Sequence, residues 1–164
     1  MNNNPSNTKN SDTFTLTMPS DTEVVVSRLF DASAEKLWNV MNDPALISKW
    51  WGPRATTTKV DKMDVRVGGK WRYLVSDERG EVAFSGEYKE IKPPHKVVFT
   101  FEFEPVAGHI STQTVTLEEK DGKTLLVAHL AFANKMDRDG MVDSGMESGN
   151  RETWDRLEEL AATK

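Results

Sequence analysis

The sequence predicts an α+β domain made of one strand, two short helices, six antiparallel strands and a long terminal helix. Three observations carry this reading. Residues 22–30 are rich in β-branched side chains, with Val24, Val25 and Val26 in a row. From Arg54 onward the apolar period is two, punctuated by Gly68-Gly69, Glu78-Arg79-Gly80, Pro93-Pro94, Val106-Ala107-Gly108 and Asp121-Gly122. From Asp137 to Ala162 the period becomes helical, with Val142, Met146, Gly149, Thr153, Leu157 and Leu160 along one side and Trp154 and Ala161 beside them. Strands and helices do not alternate, so a parallel nucleotide-binding sheet is not expected.

Met1 to about Ser20 is dominated by Asn, Ser and Thr and lacks the basic start and apolar run of a secretory signal. It reads as a flexible polar tail, residues 1–20, ahead of a single domain at 21–164. After the first strand, Asp31-Ala32-Ser33 offers caps for a helix from Ala34 to Met41 with Leu37, Trp38 and Met41 as its stripe. Glu35 sits early in that helix, where the macrodipole favours a carboxylate. Asn42-Asp43-Pro44 stops it and starts a second short helix, which delivers Trp50-Trp51-Gly52-Pro53. Proline fixes its own φ and turns the preceding residue away from the helical region, so regular structure ends there. One indole is expected to plug the end of the core. The other should pack under the next strand or line a pocket mouth.

The strands that follow are expected at about 55–67, 70–76, 82–91, 96–104, 111–119 and 124–133. Alternation puts Val97, Phe99, Phe101 and Phe103 on one face, Trp71, Tyr73 and Val75 together, and Val82, Phe84 and Tyr88 in a third row. The sheet thus has one aromatic concave face and one long helix, about 10 Å wide, to cover it. Either the rings fill that space themselves or a cavity is left. On the other face, Leu125, Val127 and Ala131, which share their alternation with His129, give the last strand an apolar exterior. A second copy of the chain could cover it, so a homodimer is compatible with the sequence.

The chain has 164 residues, a net charge of -5 and no cysteine. The acidic balance argues against nucleic acid as a partner, and the missing thiols exclude disulfides and thiolate metal sites. No apolar run reaches the length of a membrane span, and a cytoplasmic location is the default expectation. His95, His109 and His129 lie far apart with no partner at ligand spacing, so neither a metal nor a cofactor is implied. No nucleophile elbow, P-loop or dinucleotide fingerprint occurs. Glu102 and Glu104 share the wet face and resemble a catalytic pair only superficially. Catalytic residues are therefore not assigned, although Tyr73 or Tyr88 could serve as a buried acid or base given the right geometry.

The order of elements and several phrases resemble the helix-grip (START, SRPBCC) superfamily of lipid-transfer domains, the birch-pollen allergen and polyketide aromatase/cyclases. The phrases are Arg28-Leu29-Phe30-Asp31-Ala32-Ser33-Ala34-Glu35-Lys36-Leu37-Trp38, Lys49-Trp50-Trp51-Gly52-Pro53, Gly68-Gly69-Lys70-Trp71-Arg72-Tyr73, Gly86-Glu87-Tyr88-Lys89-Glu90-Ile91 with Pro93-Pro94, and Gly145-Met146-Glu147-Ser148-Gly149 before Trp154-Asp155-Arg156-Leu157. Within the superfamily the chain is most similar to the bacterial single-domain proteins named after the activator of the heat-shock chaperone ATPase (Aha1-like), over roughly residues 23–161. The resemblance implies a curved sheet of about seven strands and a hydrophobic cavity between it and the terminal helix.

That cavity would be lined by Trp51, Trp71, Tyr73, Phe84, Tyr88, Phe99, Phe101 and Phe103, with Met146 and Asn150 from the helix. Asn150 stands where many relatives carry tryptophan; it either faces inward, adding an amide, or is partly exposed without a role. Gly145 and Gly149 are read as points of close helix–sheet approach, the alternative being space left for a ligand. The resemblance implies a binding protein for a small hydrophobic molecule. The alternatives are an enzyme of cyclase or hydrolase type acting on a hydrophobic or polyketide-like substrate, and a partner that regulates a chaperone ATPase.

Overall fold

Every second side chain of Glu23–Phe30 (β2) is buried, as its β-branched alternation requires, and this strand founds the sheet. The computed structural model describes residues 13–163. After β2 come Ala34–Met41 (α1) and Ile47–Trp50 (α2), then the strands Thr57–Met63 (β3), Lys70–Asp77 (β4), Gly80–Lys92 (β5), Lys96–Phe103 (β6), Ser111–Lys120 (β7) and Lys123–Ala131 (β8). A short strand, Thr15–Thr17 (β1), precedes β2. The chain closes with Lys135–Asp143 (α3) and Met146–Thr163 (α4). All pairings are antiparallel in one eight-stranded sheet ordered β1-β2-β8-β7-β6-β5-β4-β3. Register shifts between Tyr88 and Glu90 on β5, and between Val60 and Lys62 on β3, mark bulges, which bend a strand and strengthen its twist. This α+β architecture, a curved antiparallel sheet with a long helix at its C-terminus, is the helix-grip arrangement that the sequence implied.

Four details differ from the sequence reading. The sheet has an eighth strand, because β1 pairs with β2 through Thr15↔Ser27 and Thr17↔Val25. The expected tail therefore ends earlier than Ser20: Phe14 is buried and packs edge-on against Trp154 at 5.8 Å. Residues 1–12 of that tail lie outside the described residues. The first strand of the meander stops at Met63, since residues 64–69 fold back and bond to β5 through Gly68 N–H to Tyr88 O and Tyr88 N–H to Gly69 O, both 2.9 Å. The terminal helix is two helices, broken where Gly145 takes φ +92°, a left-handed position that favours glycine. A Cβ on Gly149 would meet nothing within 4 Å, so close approach does not explain that glycine.

Local signals set the helix ends. Ser33 caps α1 by accepting from Lys36 N–H at 3.1 Å, and Asn134 caps α3 by accepting from Asp137 N–H at 2.8 Å. Met146, Trp154, Leu157 and Ala161 form the buried stripe of α4, at the spacing that keeps one helical face inward.

Polar side chains fix where α4 lies. Arg28, on the inner face of β2 and only 2% exposed, donates to Asp155 at 2.6 Å and Glu158 at 2.8 Å while stacking over the Phe30 ring. At the other flank Arg156 donates to the carbonyls of Gly52 at 2.8 Å and Lys49 at 3.1 Å, and Arg54 pairs with Glu159. The terminal helix is thereby tied to the first core strand and to the tandem-tryptophan turn.

Candidate functional site

The Trp50-Trp51-Gly52-Pro53 segment builds one wall of a cleft. Trp51 N–H closes α2 by donating to Ile47 O at 3.0 Å, after which Gly52 at φ +97° reverses the chain. Thr58 Oγ donates to Trp51 O and Thr56 Oγ to Pro53 O, each at 2.7 Å. Together with Arg156 these bonds satisfy the carbonyls of Lys49, Trp51, Gly52 and Pro53 at the end of α2. The turn therefore holds two adjacent indoles in fixed positions. Trp50 is buried, while Trp51 is half-buried and meets Tyr73 and Phe84 edge-on at 5.1 and 5.2 Å.

The cleft encloses about 100 Å³ between this segment and the middle of the sheet. The helical side supplies Met41, Asn42, Ile47, Trp50 and Trp51. The sheet supplies Trp71 and Tyr73 from β4, Tyr88 from β5, Val97 and Phe99 from β6, and Gln113 and Val115 from β7. Asn42, Trp51, Phe99 and Gln113 are half-buried; Trp71, Tyr73 and Tyr88 are buried. The indole N–H groups of Trp50 and Trp71 are both buried without a hydrogen-bond partner.

Five residues that the sequence nominated therefore meet at the cleft: Trp51, Trp71, Tyr73, Tyr88 and Phe99. Phe84, Phe101 and Phe103 stand beside it as a half-buried group, with the Phe84 ring 5.5 Å from Phe101 and 5.1 Å from Phe103, joined to the cleft through Trp51 and Trp71. Met146 and Asn150 are outside the lining. The cleft lies beneath α1 and α2 rather than beneath the terminal helix, because α4 packs against those two helices. Met41, Asn42, Ile47, Trp50, Val97, Gln113 and Val115 were not among the nominated residues, although the alternation of β7, with Ser111, Val115 and Leu117 buried, assigns Gln113 and Val115 to the concave face.

Besides the two indole N–H groups, the lining is polar at four side chains. Burial pushes the Tyr88 hydroxyl up to about 12, with the Asp64 carboxylate adding to the rise and interaction with Tyr73 opposing it. Burial likewise holds Tyr73 well above the ordinary tyrosine value, and its hydroxyl donates to Met63 Sδ at 3.6 Å. Both phenols are consequently protonated donors at neutral pH. The amide of Asn42 donates to Trp38 O at 3.0 Å, and Gln113 completes the set. Among the described residues no three His, Asp or Glu side chains converge to hold a metal ion. His129 and His109 each pair with one carboxylate, Glu23 at 2.6 Å and Asp137 at 2.7 Å, away from the cleft. Among the described residues no helix is long and apolar enough to cross a membrane.

A curved sheet with helices closed over an aromatic cleft defines the class: a helix-grip protein, whose fold is a ligand-binding one. More narrowly, the chain belongs to the family described as Activator of Hsp90 ATPase homolog 1-like protein, whose model matches residues 31–162. Its fold is similar to that of a crystal structure from Rhodobacter sphaeroides, at TM-score 0.85 and 23% identity over 92% of this chain and 99% of that one. A solution structure from Arthrobacter aurescens is similar at TM-score 0.82 and 22% identity, covering 92% of each chain. A crystal structure of a Mycobacterium smegmatis protein is similar at TM-score 0.81 and 24% identity, over 90% of this chain and 96% of that one. No curated protein matches the chain.

Proposed function

We propose that this protein binds a small, largely apolar molecule in the cleft beneath α2, with Trp51, Trp71, Tyr73, Tyr88 and Phe99 as its contacts. One observation carries the reading: a space of about 100 Å³ is walled by aromatic and aliphatic side chains and edged by half-buried ones. An apolar cavity of about 150 Å³ in another protein takes up benzene, so the cleft as it stands suits a single ring. Burying about 150 Å² of such a ligand contributes about 4 kcal/mol at 25 cal/mol per Å². That corresponds to a Kd of about 1 mM before specific hydrogen bonds are added. Longer ligands require α2 to move outward or the row of Phe84, Phe101 and Phe103 to extend the surface.

The test is native mass spectrometry of the purified protein, followed by a calorimetric or NMR screen of single-ring and two-ring compounds. Saturable binding is expected, and it is expected to disappear in Val115→Phe, which places a ring inside the cleft. A screen with no saturable ligand would sink the proposal. Binding unchanged in a folded Val115→Phe would move the site elsewhere.

A further inference from the structure

We infer that the cleft selects its ligand by charge, accepting the neutral form of a ring compound and rejecting the ionised form. The inference rests on the binding proposal and narrows it to uncharged phenols, ketones, amides and esters, excluding carboxylates and phenolates.

The composition of the wall is the first reason. Its polar members are Asn42, Gln113, Tyr73, Tyr88 and the indole N–H groups of Trp50 and Trp71, and none carries a charge at neutral pH. α1, α2, β6 and β7 bring no Lys, Arg, His, Asp or Glu to the lining. β4 and β5 bring, as titratable groups, only the two phenols, which burial keeps protonated.

The second reason is the charge that lies nearby. Asp64, in the segment between β3 and β4 and paired with Arg66 at 2.7 Å, still adds to the cost, set chiefly by burial, of placing a negative charge at Tyr88. An anion entering the cleft would thus meet no cation in the lining to pair with. Transfer of an unpaired ion out of water costs several kcal/mol even after the protein relaxes. The protonated form of the same molecule escapes that cost and gains a hydrogen bond from a tyrosine or an amide.

The experiment uses para-nitrophenol, a single ring that ionises near neutral pH and reports its own protonation by absorbance. It is titrated with acid and base alone and in the presence of saturating protein. The expected result is an apparent pKa raised by about one unit or more, which is at least a tenfold preference for the neutral form. Saturable binding with an unchanged or lowered pKa overturns the inference while leaving the binding proposal standing.

Gln113→Lys places an ammonium in the lining from a half-buried position on β7, and its fold is checked by thermal melting. In this variant the shift is expected to shrink or reverse, because the cation favours phenolate. A wild-type shift that persists unchanged in the folded variant shows the probe to lie elsewhere and overturns the inference. Failure of both forms to bind saturably removes the binding proposal and this inference with it.

Discussion

Arg156→Met is expected to loosen the tandem-tryptophan turn, and the structure allows the size of the effect to be worked out. The guanidinium donates to Gly52 O at 2.8 Å, Lys49 O at 3.1 Å and, weakly, Pro53 O at 3.4 Å. A hydrogen bond involving a charged group contributes about 1.5–3 kcal/mol when well formed. The Gly52 bond qualifies; the other two are longer and count for less. The site is only partly buried, so water can replace the lost donor and recover some of the energy. The net loss is about 2 kcal/mol, which for a chain of this length lowers Tm by about 4–8 °C.

Urea unfolding followed by far-UV circular dichroism measures the stability, and tryptophan fluorescence reports on Trp50 and Trp51 directly. Arg156→Lys should recover less than half, since a point charge cannot fork across separate carbonyls. A loss below about 0.5 kcal/mol, within the range of a neutral surface change, would show that Thr56, Thr58 and Gly52 hold the turn alone.

Three further outcomes are expected. Gly86→Ala places a Cβ at 1.8 Å from Thr100 O and 2.5 Å from Trp71 Nε1, so β5 or the indole must shift; a loss of at least about 2 kcal/mol with an altered near-UV aromatic spectrum is expected, and wild-type stability would count against the packing described. Arg28→Met removes the buried cation shared by Asp155 and Glu158, and because those carboxylates keep some water contact the loss should be about 2 kcal/mol rather than the full buried-pair value; equal stability in urea would mean that α4 is held by packing alone. Glu104, held down to about 2 by its bonds to Arg72, contributes stability that is fully present above the ordinary carboxylate value of 4.5 and lost as pH falls through 2. Glu104→Gln should therefore be less stable than the parent near neutral pH by at most about 1 kcal/mol, with the gap closing toward pH 2, and a gap independent of pH would refute the pairing.

Local patterns in the sequence settled the elements. Ser33, Asn42-Asp43-Pro44 and Trp51-Gly52-Pro53 act within a few residues of themselves, so the short helices and their ends could be read directly. Period-two alternation placed Trp71, Tyr73, Tyr88 and Phe99 on the concave face because a strand offers each side chain only two directions. The same logic put His129 with Leu125 and Val127 on the outer face, where the structure has them at least partly exposed. β1 escaped notice because three residues, Thr15–Thr17, are too few to display a period. The helix break escaped because Gly145 interrupts a stripe that continues in phase on both sides.

The position of the cleft was beyond the reach of any local pattern. It depends on α4 lying against α1 and α2, a placement made by Arg28 reaching Asp155 and Glu158 over 127 and 130 residues of chain, and by Arg156 reaching Gly52 over 104. Those ion pairs and hydrogen bonds are long-range, and nothing in the spacing of the partners announces them. By itself the sequence determined an aromatic concave face and the turn carrying Trp50 and Trp51, because propensity, capping and alternation act over a few residues. Tertiary structure alone decided that Trp51 closes over Tyr73, that Met146 and Asn150 stand apart from the cleft, and that its wall carries no charge. Those outcomes follow from how packed elements divide the space between them, which is a property of the whole fold.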